Sequence, residues 1–250
     1  MLVPLLVWVC LAVPAEQLPS AIFNDPPADH AHPPVMATVR IPSHGVDLNA
    51  VMYIASGAGP HPVVILLNGH PGYERNLDLA QAIRRDGWNV LTFDYRGSWG
   101  TPGSYSLAHC AEDTAAAISF LRHGGYAAQL RIDPARIVLL GHSTGGLLAA
   151  YDAASDRSVI AVGLISAAHL EAMGSADRLA GRLASRPVLL ITAEDGFSQE
   201  GLEFADALRR HGDRSVTEER FAADHVYSAK RIALAATILK WLGTLDAGRR

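Results

Sequence analysis

The chain carries Gly141-His142-Ser143-Thr144-Gly145, followed at once by Gly146. A serine between two glycines can do chemistry when the turn that holds it is tight. Glycine lacks a side chain, so the flanking segments close on one another and the serine hydroxyl is pushed outward, as in a nucleophile elbow. A hydroxyl is a poor nucleophile at neutral pH, so Ser143 needs a base, ordinarily an imidazole held by a carboxylate. His225, in Ala222-Ala-Asp-His225-Val-Tyr-Ser228, and Asp195, in Thr192-Ala-Glu194-Asp195-Gly196, follow downstream in the order serine, acid, histidine. Glu194 is the alternative acid, because a shift of the preceding strand end by one residue exchanges the two. Asp224 is read as a cap for the final helix, since the side chains of adjacent residues diverge. Attack on a carbonyl creates an oxyanion that needs N–H donors. Backbone amides for it are available at Thr144 and at His70, in Asn68-Gly69-His70-Pro71-Gly72.

These residues need elements that hold them at one place. Residues 137–140 are a short branched apolar run bounded by glycine, which fits a strand covered on both faces, and the small residues after Ser143 fit a helix packed close to it. Residues 62–67, 88–94, 159–165, 187–192 and 216–221 read as further strands. Residues 77–86, 107–121, 202–210 and 226–242 read as helices, the last burying Leu234, Ile238, Trp241 and Leu242. Residues 36–41 and 48–55 form an expected antiparallel hairpin at a sheet edge. Alternation of strands and helices from residue 62 onward predicts an α/β fold, a mostly parallel central sheet with helices on both faces. Residues 166–186 leave room for about two short helices, so any cap is small and the pocket open.

At 250 residues with a formal net charge of −4 and 49% hydrophobic residues, the chain suits one α/β domain and offers no basic surface for nucleic acid. Residues 1–15 are uncharged and apolar, too short to span a bilayer, and end at Ala15 like a signal peptide, although no basic residue precedes the apolar run. The expected division is therefore a leader over 1–15, a proline-rich N-terminal tail over 16–35 and a catalytic domain over 36–250. The mature protein would be secreted or periplasmic, without stable membrane insertion; if residues 1–15 are not a signal peptide, it would be cytoplasmic. Cys10 and Cys110 are the only cysteines, and loss of Cys10 on processing would exclude an intramolecular disulfide. No metal or organic cofactor is implied; His30 and His32 read as exposed loop histidines. Tyr73, Tyr95, Trp99 and Tyr105, on loops expected at strand carboxyl ends, are candidate pocket residues, packing among the loops being their other reading; His142 within the serine motif is a further candidate.

Taken together these segments resemble the α/β-hydrolase superfamily across residues 37–243. Residues 68–72 are similar to its His-Gly-x-Pro-Gly oxyanion loop, with Asn68 in place of the histidine. Asp94-Tyr95-Arg96-Gly97 is similar to its Asp-x-Arg-Gly segment, in which the charged pair braces loops. The acid loop departs, because the family often places its aspartate one residue later, at the position of Gly196. No large lid is present either. The resemblance implies hydrolysis of an acyl bond through a covalent acyl-enzyme on Ser143. A carboxylic-ester hydrolase for small or medium acyl esters is the leading expectation. A peptidase or amidase of the prolyl-oligopeptidase or dienelactone-hydrolase type is the runner-up, and a non-catalytic binding protein that retains the fold is an alternative of another class.

Overall fold

The computed structural model describes residues 18–70, 72–213 and 215–247. The leader-like segment and its cleavage position lie outside them. Eight strands form one sheet: β1 (Val35–Ser43), β2 (Val46–Ile54), β3 (His61–Leu67), β4 (Asn89–Phe93), β5 (Ile132–His142), β6 (Val159–Ile165), β7 (Val188–Ala193) and β8 (Val216–Phe221). Their order across the sheet is β1-β2-β4-β3-β5-β6-β7-β8, with the β1–β2 and β2–β4 pairs antiparallel and every other pair parallel. The helices are α1 (Leu77–Arg85), α2 (Leu107–His123), α3 (Thr144–Ser155), α4 (Ala176–Leu183), α5 (Ser198–Arg210) and α6 (Arg231–Ala247).

Side chains of the central strands divide by parity. Val63, Ile65, Leu67 and Leu139 enter a core shared with α2, α3, α4 and α5, whereas Val64, Leu66, Val138 and Leu140 enter a second core shared with α1 and α6. A strand buried on both faces has no polar side to display, which is why these strands read as unbroken apolar runs. After β3 the chain turns through α1 to β4 on one side, and later enters β5 on the other side of β3. The strand order therefore reverses between β3 and β5, and a crevice opens at their carboxyl ends.

Several boundaries differ from the sequence reading. β5 begins at Ile132, five residues early, because the parallel partner β3 pairs with Ile132 at His61 before the register shifts. α5 starts at Ser198 instead of residue 202. α6 starts at Arg231 instead of residue 226, because Asp224 closes a separate turn, accepting from the Ser228 amide at 2.7 Å and the Ser228 hydroxyl at 2.7 Å, and Tyr227 takes a positive φ of 59°. Asp224 thus caps that turn and not the helix. Residues 166–186 hold one helix, α4, after a stretch of turns. No helix among the described residues is long and apolar enough to cross a membrane.

Candidate active site

Ser143 lies between β5 and α3 with φ 57° and ψ −124°, a conformation rarely tolerated by a residue with a side chain. Close packing forces it. A Cβ at Gly141 would fall 1.9 Å from the Gly145 carbonyl oxygen, and one at Gly145 would fall 2.2 Å from the Leu67 carbonyl oxygen. Only glycine at both places lets β5, α3 and the end of β3 approach as they do. The backbone of the turn is further fixed by the Ser143 amide, which donates to Ile165 at 2.9 Å, and by its carbonyl, which accepts from Gly146 at 2.8 Å and Ala168 at 3.2 Å.

Thr144 is the first residue of α3, so its N–H has no acceptor inside the helix and sits at the positive end of the helix dipole. The loop after β3 approaches from the other side: a Cβ at Gly69 would lie 2.8 Å from the Ser143 Cβ and 3.3 Å from its Oγ. His70 follows directly, with its ring stacked at 4.4 Å on Tyr105. The structure thus brings the Asn68–Gly69–His70 loop and the start of α3 to the same serine.

His225 stands on the loop between β8 and α6, and Asp195 on the loop after β7. The His225 Nδ1 and the Asp195 Oδ2 are 2.7 Å apart. Burial raises the Asp195 carboxyl, but the His225 hydrogen bond, the Phe197 amide at 2.9 Å and the Ser166 hydroxyl outweigh it, leaving the group below its ordinary 3.8. An ionised Asp195 accepts the Nδ1 proton, so the neutral imidazole keeps its lone pair on Nε2. Glu194 is exposed, and its backbone amide donates to Phe221 at 3.1 Å; of the two acids, Asp195 is the one paired with the histidine.

His142 was expected at the pocket edge, yet it is only 4% exposed, and its Nε2 lies 2.8 Å from the His225 carbonyl oxygen. Its ring is 4.8 Å from that of His225, which on the other side meets Phe197 at 5.1 Å. Burial chiefly, and the His225 charge secondarily, draw the His142 imidazole down to about 4 against the opposing effect of its hydrogen bond. His142 is therefore neutral at working pH and donates its Nε2 proton to that carbonyl. This link spans 83 positions, and no feature of the linear sequence signals it.

Tyr95 is buried, donating its hydroxyl to the Asn68 carbonyl at 3.2 Å, whereas Tyr73 and Trp99 are exposed and meet edge to face at 5.9 Å. The Asp94–Arg96 segment braces the neighbouring loops. Asp94 pairs with Arg75, while Arg96 pairs with Glu112 and, at 2.6 Å, with the fully buried Asp113, which also accepts from the Arg96 amide and the Ser43 hydroxyl.

A mostly parallel sheet with helices on both faces and a serine turn at its reversal point is the architecture of α/β hydrolases. The chain belongs to the alpha/beta hydrolase family, whose sequence model matches residues 64–249. It is 36% identical over 107 residues to an uncharacterized protein of Mycobacterium tuberculosis, 42% of this chain and 36% of that one. It is 32% identical over 100 residues to the uncharacterized protein YfhR of Escherichia coli, 38% of this chain and 33% of that one. Each match thus spans about a third of the curated relative. Among solved structures, the fold is similar to a hyperthermophilic esterase of Pyrobaculum calidifontis (TM-score 0.68, 21% identity, 86% of this chain and 88% of the other). It is equally similar to a putative dienelactone hydrolase of Klebsiella pneumoniae (TM-score 0.68, 20% identity, 84% and 98%). A metagenomic carboxylesterase, EstE1, follows closely (TM-score 0.66, 21% identity, 88% and 91%).

Proposed function

We propose that the protein is a serine hydrolase that cleaves carboxylic esters of small or medium acyl chain through an acyl-enzyme, with Ser143 as nucleophile, His225 as base and Asp195 as its orienting acid. The observation that carries this reading is the 2.7 Å contact between His225 Nδ1 and Asp195 Oδ2, on a loop whose His225 carbonyl is held at 2.8 Å by His142, the neighbour of the strained Ser143. In the first half-reaction Ser143 Oγ bonds to the ester carbonyl carbon as its proton passes to His225 Nε2. The oxyanion accepts hydrogen bonds from the Thr144 and His70 amides. Collapse breaks the bond to the alcohol oxygen, which leaves with the proton from Nε2. Water then repeats the sequence on the acyl-enzyme, giving the carboxylic acid and free Ser143. The small α4 region after β6 suits small substrates better than a lidded lipase would.

The test is a rate comparison on p-nitrophenyl esters of increasing chain length and matched p-nitroanilides, with Ser143→Ala as blank. Ester cleavage that falls with chain length, and is absent in the variant, is the expected result. Comparable anilide cleavage would replace the esterase reading with an amidase one, and Ser143→Ala retaining activity would overturn the site. For localisation we propose export after cleavage at Ala15. N-terminal sequencing of protein from the periplasm or medium would begin at Glu16, and recovery of Met1 from the cytoplasm would refute it.

A further inference from the structure

Beside the serine lies a cavity of about 340 Å³ whose lining includes Gly69, His70, Tyr73, Trp99 and Tyr105. Gly69 is the wall shared with the nucleophile, since a Cβ there would stand 3.3 Å from Ser143 Oγ. Four of the other lining residues are ring side chains in two pairs, His70 with Tyr105 at 4.4 Å and Tyr73 with Trp99 at 5.9 Å and 82°; the Tyr95 ring, Asn68, Gly97 and Ser98 complete the lining.

Tyr73 is 80% exposed and Trp99 49% exposed, although rings of this size ordinarily bury most of their area. Trp99 also holds φ at 46°, a left-handed conformation that is unfavourable for a bulky residue and that persists only where the surroundings enforce it. Those surroundings are visible. The Gly97 amide donates to Thr101 and Pro102, the Thr101 amide returns to Ser98, and the Ser98 hydroxyl donates to Tyr95 at 2.7 Å. The Arg75 guanidinium, anchored on Asp94, stands 6.0 Å from the Trp99 ring. A strained loop thus keeps an indole at the rim of the nucleophile's pocket, next to a phenol, instead of folding it into the core.

We infer that this cavity is a subsite for a single planar aromatic ring of the ester, carried on either its acyl or its alcohol part, with Trp99 and Tyr73 supplying the ring faces and edges against which it packs. The assignment rests on the esterase reading and names its substrate class. Stacking of this kind depends on the π face, so an aliphatic ring of equal bulk recovers the area buried but not the ring–ring attraction.

The experiment measures kcat/KM on two matched pairs: benzyl acetate against cyclohexylmethyl acetate for the alcohol side, and methyl phenylacetate against methyl cyclohexylacetate for the acyl side. The aromatic member of one pair should be preferred by roughly fivefold to tenfold. That preference should collapse toward unity in Trp99→Gly, in which glycine adopts the φ of 46° without strain, and in Tyr73→Ala, whose exposed side chain carries no folding burden. The pair that shows the preference identifies which part of the ester enters. Ratios near unity in both pairs, or ratios unchanged in both variants, overturn the subsite while leaving the esterase standing. Should no ester be hydrolysed, the esterase reading fails by itself. Methyl phenylacetate titrated into Ser143→Ala protein, followed by tryptophan fluorescence, then decides the subsite: saturable quenching lost in Ser143→Ala/Trp99→Gly upholds it, and no saturation overturns it.

Discussion

At the scale of single residues, the contact between His142 and His225 ties the serine strand to the loop that carries the proposed base. Neutral His142 fixes the His225 backbone without placing a second positive charge beside an imidazole that, in the proposed mechanism, becomes positive during turnover. His142→Ala should lower kcat by about tenfold with little change in KM, by leaving a carbonyl unpaired and the base less well held, and His142→Gln, which keeps an N–H donor, should recover most of the loss. The same residue has a pH signature. Its folded pKa of about 4 lies below its ordinary 6.5, so its contribution to stability is present above 6.5 and is lost as pH falls through about 4. Thermal melts between pH 7 and pH 4 should therefore fall more steeply for the wild type than for His142→Gln. At the acid position, Asp195→Asn should reduce kcat by about 10⁴ whereas Glu194→Gln should leave it within about twofold, measured on one p-nitrophenyl ester. The reverse ranking would exchange their roles. The sequence alone left these two neighbours open, because the choice depends on where β7 stops, and it stops at Ala193.

At the scale of elements, α3 carries a carboxyl in an unfavourable place. Asp152 is buried on α3 with its Oδ2 lacking a hydrogen-bond partner, and burial chiefly, with the Asp156 charge, pushes it up to about 8. The sign follows directly. An acid whose folded pKa exceeds its ordinary 3.8 stabilises fully below that value, and the contribution is lost as pH rises through about 8. Asp152→Asn should raise the melting temperature at pH 7.5 by several degrees, with the gain vanishing near pH 4; a gain of equal size at both pH values would show that ionisation is not the cause. Elements were legible in the sequence where burial leaves a compositional trace. β6 is apolar throughout, β3 and β7 are so apart from His61 and Thr192, and the glycines that allow the serine turn stand near the serine itself. They were not legible where tertiary contacts override composition. The first residues of β5 include Asp133, Pro134 and Arg136, which carry no apolar strand pattern, and pairing of Ile132 with β3 makes them strand. The delayed start of α6 likewise depends on the Asp224 turn, in which an aspartate suited to capping a helix closes a shorter loop instead.

At the scale of the whole molecule, the sheet separates two apolar cores, and the segment ahead of β1 belongs to one of them. The proline-rich stretch expected as a tail runs along the domain over its described part. Ala21, in the 3-10 turn Ser20–Ile22, is buried in the core beneath α1 and α6, and the Arg85 side chain donates to the carbonyls of Ala21 at 2.6 Å and Ile22 at 3.2 Å. Further on, Arg131 donates to Pro33 at 2.7 Å and to Gly57 at 2.9 Å, and the Gly57 amide returns to His32 at 3.0 Å. Each of these bonds joins residues far apart in sequence, so together they fasten the segment to both α1 and the loop after β2. Hydrogen bonds of this kind contribute about 1 kcal/mol each, and a domain of this size shifts by about 2–4 °C per kcal/mol. A chain beginning at Val35 should therefore melt roughly 8–16 °C below one beginning at Leu18, and Arg85→Ala in the longer chain should reproduce part of that fall. Equal melting temperatures for the two chains would mean that the segment does not remain docked in solution.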